Sequence, residues 1–137
     1  MHPKQKVFLF DIDGVLVEPH GYRRAVQSTL KYFTDQLGIP TTLLPDEEII
    51  ILCEANQITS EWDMVPICLA ILLDGILMLN HGITLPLSMK HITNLSAERL
   101  PTKIEYEEPI RFISDHLHPD TCPAEIALSL AVNGKLY

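Results

Sequence analysis

The apolar positions of this chain follow two different spacings. In residues 22–37 they recur every three or four positions, which places them on one face of a helix that Gly38 and Pro40 end. These apolar positions are Tyr22, Ala25, Val26, Leu30, Phe33 and Leu37. Residues 7–10 instead form a short continuous apolar run, with the length and side chains of a buried strand. The pattern therefore predicts a mainly helical chain whose most secure strand is at residues 7–10.

Two further helices are indicated by their start signals. Residues 46–48 are acidic, as is favourable in a first helical turn, and an apolar segment follows them. Residues 60–63 have the S-x-x-D form of a capping box, which predicts a third helix running toward Leu79. Pro66 should kink this helix or delay its start.

The last part of the chain has a weaker pattern. Residues 84–102 contain two prolines and no clear period, which is typical of a loop. Residues 109–117 predict a short helix. Residues 123–132 predict a final helix, with a proline at its first position and residues 133–134 as its C-cap.

An acidic pair follows the predicted strand directly. Asp11 and Asp13 are two positions apart, so in extended chain they point to the same side, and Gly14 permits a sharp turn after them. Two close carboxylates are held ionised by a divalent cation such as Mg²⁺. One of them can then attack phosphorus while the other protonates the leaving oxygen. The alternative is an Asp-rich turn that merely ends the strand. An EF-hand is excluded, because Val15 and Leu16 occupy positions that need an oxygen ligand and a glycine.

Residues 8–18, FLFDIDGVLVE, resemble the first motif of the haloacid dehalogenase-like (HAD) hydrolases, an apolar strand followed by Asp-x-Asp-Gly-(Thr/Val)-Leu. The resemblance implies an α/β fold of HAD type. It also implies that Asp11 is the nucleophile that forms an aspartyl-phosphate and that Asp13 is the general acid and base. Both would contact Mg²⁺. The substrate implied is a small phosphorylated molecule, with Gly14 among the residues that bind it.

The helices after this motif resemble the α-helical cap of many HAD phosphatases. The chain then divides into residues 1–20, the first strand and catalytic loop, and residues 21–137, the cap. Glu61-Trp62-Asp63 is also similar to a feature of phosphoglycolate-phosphatase-like members. Arg23 and Trp62 are accordingly candidate substrate-binding residues. The structural alternatives are a solvated arginine in a first helical turn and a tryptophan in the core. We favour the solvated interpretation for Arg23 and the core interpretation for Trp62.

Three later HAD motifs are not found in the sequence: the phosphate-binding Ser or Thr, the Lys, and the second acid pair. Residues 112–114 are the only candidate for the Ser-bearing strand, and too little chain follows them for the rest. We therefore expect an incomplete HAD-like chain that is inactive alone. One alternative is a catalytically dead helical interaction module. A Mg- or Mn-dependent transferase with an Asp-x-Asp motif is a third hypothesis, but it needs a larger α/β domain.

The net charge of the chain bears on which classes of molecule it binds. The formal net charge is -8 and the pI is about 5.1, which argues against binding to nucleic acid or anionic membranes. A phosphorylated small molecule stays compatible when a metal supplies the positive charge. The apolar stretch at residues 64–79 is short for a membrane span and contains Asp74, so a buried helix is expected there.

The cysteines and histidines do not indicate a disulfide framework or a metal site. Cys53, Cys68 and Cys122 are odd in number and lack CxxC spacing, so we interpret them as reduced thiols of a cytoplasmic protein. No signal peptide is recognised at the start of the sequence. His116 and His118 lie close to Cys122, as metal ligands or as surface histidines beside a turn. We favour the surface interpretation because a metal site needs more converging ligands.

Overall fold

The computed structural model describes residues 20–80, 100–118 and 120–132, and within these ranges the chain is helical without a β-strand. The α-helices there are α1 (His20–Leu37), α2 (Glu47–Ala55), α3 (Glu61–Leu79), α4 (Glu107–Asp115) and α5 (Pro123–Val132). A short 3-10 helix, Thr41–Leu43, lies between α1 and α2. The prediction of a mainly helical chain is confirmed for this part. The strand predicted at residues 7–10 lies outside the described residues, as does most of the predicted loop.

Helix bounds agree with the sequence pattern where local signals are strong. The final helix has the predicted bounds, and α1 begins at His20, just before the predicted start. By contrast, α4 begins at Glu107, ahead of Pro109. This is possible because the third position of a helix needs no N–H donor for an intrahelical bond. Pro66 does not delay α3, which already begins at Glu61.

Side chains cap the second and third helices at their first turns. An Asp46 carboxylate oxygen accepts a hydrogen bond from the Ile49 N–H at 3.0 Å. The Ser60 hydroxyl accepts one from the Trp62 N–H at 3.2 Å. Each cap satisfies a backbone donor that the helix itself leaves unpaired, which stabilises a helix by about 1 kcal/mol. The carboxylate of Asp63 accepts a bond from the Cys122 thiol instead of serving the capping box.

The core is organised around α3, which packs against α1 and α5, while α2 packs against α4. The α3 residues that are fully buried are Met64, Ile67, Cys68, Ile71, Leu72 and Ile76. Val26 and Leu30 of α1 and Ile110 and Ile113 of α4 complete this core from other helices. Burying each large aliphatic side chain contributes about 1.5–3 kcal/mol, so α3 is the largest single source of stability in the described fold.

Length and composition would also allow α3 to cross a membrane, and it is the one such helix among the described residues. The helix runs from Glu61, so it is longer than the apolar stretch identified in the sequence. Core helices of soluble proteins have the same properties, although only about a third of this span is buried inside the fold.

Polar contacts attach the later segments to the first three helices. The buried Tyr106 hydroxyl donates to the Leu43 carbonyl at 2.8 Å, which fixes the chain before α4 against the 3-10 helix. The Ser114 hydroxyl donates to the Asn56 carbonyl at 2.9 Å, which joins α4 to the end of α2. The core and these contacts together make one packed helical unit.

The ends of α1 and α2 use the same backbone turn with different residues. Gly38 has φ 68° after α1, and Gln57 has φ 66° after α2. In both turns the following N–H bonds back into the helix, from Ile39 to Thr34 O and from Ile58 to Cys53 O, each at 2.9 Å. A left-handed residue at this position is normally glycine, because a side chain adds steric cost there.

Replacing Gln57 with glycine should therefore raise the free energy of unfolding. We expect a gain of up to about 1 kcal/mol, measured by urea unfolding, because the left-handed strain disappears. The converse change at the equivalent turn, Gly38→Ala, should lower stability by a similar amount. A Gln57→Gly variant less stable than the original chain would contradict this assignment.

Candidate functional site

The predicted catalytic residues Asp11 and Asp13 and the candidate substrate-binding residue Gly14 lie outside the described residues. Their proposed metal site is therefore not tested by the structure. The other two candidates, Arg23 on α1 and Trp62 on α3, are described. The geometry of the candidate site is built from these two residues and from the open cavity near His116.

Arg23 is held by two acidic residues of α2. Its Nε and Nη2 each donate to a carboxylate oxygen of Glu54 at 2.8 Å, in a bidentate pair. Its Nη1 lies 3.6 Å from a carboxylate oxygen of Glu47. The side chain is only 15% exposed. Glu54 thus occupies one edge of the guanidinium and Glu47 lies beside Nη1, so a phosphate that approached Nη1 would meet Glu47.

Tyr22 completes this cluster, because its hydroxyl also donates to Oε1 of Glu54. Burial acts to raise the pKa of Glu54, but the hydrogen bonds from Arg23 and Tyr22 outweigh it and leave that pKa below its ordinary value. The bond to Glu54 raises the pKa of Arg23. Burial, together with the same carboxylate, raises the pKa of Tyr22. The cluster therefore combines an ionised Arg23–Glu54 pair with a neutral phenol.

The interpretation of Arg23 as a solvated arginine is wrong, because its side chain is largely buried against Glu54. Arg23 and Glu54 are 31 positions apart, so no helical spacing connects them. Only the tertiary structure brings their side chains together. Arg24, its neighbour in sequence, is exposed, as expected for a solvated arginine.

The Arg23–Glu54 pair should make stability depend on pH. Because the pKa of Glu54 is depressed from its ordinary 4.5, its contribution is complete above that pH and is lost as pH falls through the lower folded value. Glu54→Gln should cost about 1–3 kcal/mol of unfolding free energy at pH 7. The deficit should shrink in acid, as urea unfolding at several pH values would measure.

Glu107 offers a matched control, since it pairs with Arg111 but both side chains are more than half exposed. Glu107→Gln should cost less than about 0.5 kcal/mol, because solvent screens an exposed pair. If Glu54→Gln and Glu107→Gln lowered the free energy of unfolding equally, the Arg23–Glu54 pair would contribute no more to stability than a surface ion pair.

Trp62 is not a core residue, so the interpretation we favoured for it is wrong. Its side chain is 83% exposed in the first turn of α3. The helical spacing explains this, because Met64, Ile67 and Ile71 turn into the core while Trp62 lies on the opposite side. An open aromatic ring can stack on a ligand or pack against another surface, and the substrate-binding role of Trp62 stays a prediction.

An open cavity of about 420 Å³ lies where α4 ends and α5 begins. His116, Asp120, Cys122 and Glu125 are among its lining residues. The His116 Nδ1 lies 2.7 Å from the Phe112 carbonyl, and this carbonyl accepts a bond from the tautomer that carries its proton on Nδ1. In this tautomer the Nε2 atom carries a lone pair.

The two histidines near Cys122 do not act together. His118 lines a different, smaller cavity and uses its backbone to bond Thr121. In the ranges that the structure describes, no three His, Cys, Asp or Glu side chains are placed to hold a metal ion. The cavity combines a histidine, a thiol and acids without forming a recognisable catalytic or metal-binding arrangement.

The three cysteines differ sharply in accessibility. Cys53 and Cys68 are buried, whereas Cys122 is exposed. A hydrogen bond with Cys53, together with burial, raises the pKa of the Cys68 thiol well above its ordinary value. Since the thiolate is the reactive form of cysteine, the buried pair should be inert in the folded protein.

Iodoacetamide should therefore modify the folded chain at a single cysteine, Cys122. Mass spectrometry should find one adduct in buffer and three in urea. The Cys122→Ser variant should acquire no adduct until it unfolds. Rapid labelling of Cys53 in buffer would contradict the packing of α2 against the core.

Comparison with protein-family models, curated proteins and solved structures finds no match for this chain.

Proposed function

We propose that the chain is a HAD-like phosphatase polypeptide that contributes the catalytic acid pair and a helical cap to Mg²⁺-dependent hydrolysis of a phosphate monoester. The observation that carries this proposal is the Asp11-Ile12-Asp13-Gly14 motif directly after the apolar residues 7–10. The helices from α1 onward support it, because a helical cap is expected directly after such a motif. The α/β core of HAD type belongs to the proposal.

The chemistry follows from two carboxylates with separate roles. The Asp11 carboxylate attacks phosphorus, and the bond to the leaving oxygen breaks as Asp13 gives that oxygen a proton. Asp13 then takes a proton from the water that hydrolyses the aspartyl-phosphate. Both side chains offer the hard oxygen ligands that suit Mg²⁺, so they would hold the ion. When bound, Mg²⁺ would neutralise charge on the phosphate oxygens.

The candidate substrate contacts differ in what they can offer. Trp62 presents an open ring, whereas Arg23 already bonds Glu54 with two of its nitrogens. We assign Arg23 to phosphate binding through Nη1, which requires Glu47 to move from its position 3.6 Å away. Gly14, the third candidate, allows close approach of the backbone to the ligand. The expected substrate is a small phosphorylated molecule in the cytoplasm.

The decisive experiment compares the chain with a version joined to a HAD-type core segment that carries the Ser or Thr, the Lys and the second acid pair. The chain by itself should not hydrolyse p-nitrophenyl phosphate above background with Mg²⁺, because those groups provide most of the transition-state stabilisation. The joined version should hydrolyse it. Asp11→Asn should lower that activity by at least about a thousandfold, since the amide keeps the shape but not the nucleophile.

Two controls make the result interpretable. Asp35→Asn removes one charge from an exposed position on α1 and should leave turnover unchanged. Calorimetry should show weak Mg²⁺ binding that the paired changes Asp11→Ala and Asp13→Ala abolish. A joined version that is inactive, or indifferent to Asp11→Asn, would favour the helical interaction module instead.

A further inference from the structure

The outward side of α3 carries a continuous apolar stripe. Its residues recur every three or four positions and so share one face of the helix. We call this the outer stripe: Trp62, Pro66, Leu69, Ala70, Leu73 and Leu77. Trp62 and Pro66 are exposed, and the other four are half-buried. Met64, Ile67 and Ile71 lie on the opposite side of α3, whereas the buried Ile76 adjoins the stripe. Leu69 and Leu73 of the stripe also contact the core.

A helix that is apolar on every side is normally enclosed on every side. Only about a third of α3 is buried in this fold. The outer stripe runs from position 62 to 77, which corresponds to about 22 Å at 1.5 Å per residue. Trp62 and Pro66 expose apolar surface at one end of the stripe, and the half-buried residues extend it along the helix. A continuous apolar surface of this kind is typical of a binding site for another macromolecule.

An acidic edge borders the stripe. Asp63 and Asp74 are 11 positions apart, so they lie within about 20° of each other around the helix and about 16 Å apart along it. Both are half-buried, and the helix contains no lysine or arginine. Asp63 also accepts a hydrogen bond from the Cys122 thiol, so this edge lies beside α5. A surface that fits this face should therefore combine an apolar stripe with positive charge along one side.

We propose that the outer stripe and its acidic edge bind an amphipathic helix of a partner protein, with basic residues spaced about 16 Å apart along one edge. A second copy of this chain fits less well, because it would bring a net charge of -8 against the same charge. A lipid surface also fits less well, since burying Asp63 and Asp74 in an apolar phase is costly. This proposal does not depend on the phosphatase proposal.

A synthetic peptide tests the partner chemistry directly. The probe is an amphipathic helix of about 18 residues, with leucine on one face and lysines about 16 Å apart along one edge. Its control has glutamate in place of every lysine. Trp62 is the only tryptophan in the chain and is 83% exposed. Its emission should shift to shorter wavelength with the lysine peptide and stay unchanged with the glutamate peptide.

Two lysine substitutions separate docking on the stripe from general charge attraction. Pro66→Lys places a charge within the outer stripe and should weaken binding at least about tenfold, measured by anisotropy of a labelled peptide. Tyr32→Lys makes the same change in net charge at a residue of α1 that is 63% exposed, and it should weaken binding less than about threefold. Both substituted positions are exposed, and circular dichroism should confirm that each variant folds.

Removing a negative charge from the acidic edge should weaken peptide binding more than removing one elsewhere on the surface. Asp74→Asn should weaken peptide binding more than Glu108→Gln, which removes one charge from an exposed position of α4. Equal weakening by Pro66→Lys and Tyr32→Lys, or equal binding of the two peptides, would overturn the proposal. So would a shift of Trp62 emission with protein concentration alone, which would assign the stripe to a second copy. A shift with phosphatidylcholine vesicles would assign it to lipid.

Discussion

Burial of one side of α3 is the interaction on which the rest of the described fold depends. This side faces α1 and α5, and its six fully buried residues supply the centre of the core. Helices of nine or ten residues such as α2, α4 and α5 are marginal by themselves in water, because helix nucleation is costly. Their stability therefore comes from packing on a common apolar surface, and α3 provides much of that surface with its six fully buried residues.

Polar contacts then determine how the shorter helices are oriented. Glu54 connects α2 to α1 through Arg23 and Tyr22, and the bond from Ser114 to Asn56 connects α4 to the same, C-terminal end of α2. These bonds lie at the margin of the core, where their desolvation cost is moderate. Apolar burial provides most of the stability, while the directional bonds favour one arrangement over its close alternatives.

Local signals in the sequence predicted most of the helical structure and little of the site. The caps at Asp46 and Ser60 and the bounds of α5 depend on a few adjacent residues, so they could be identified from the sequence. The partner of Arg23 and the exposure of Trp62 depend on which faces of distant helices meet. No period within one helix contains that information. The left-handed conformation of Gln57 could not be predicted from the sequence either, because the residue at this position of such a turn is usually glycine.

The wrong prediction that Trp62 lies in the core is explained by the same feature of α3 that produces the outer stripe. In α3 the apolar residues are so numerous that their pattern does not show which side is the core. The buried side was set by the packing of α3 against α1 and α5, which leaves Trp62 and Pro66 exposed. Selection for stability alone would favour polar residues on the exposed side. The outer stripe is instead apolar, with Asp63 and Asp74 along one edge, which favours a role in binding. An apolar partner surface with basic residues complements both features.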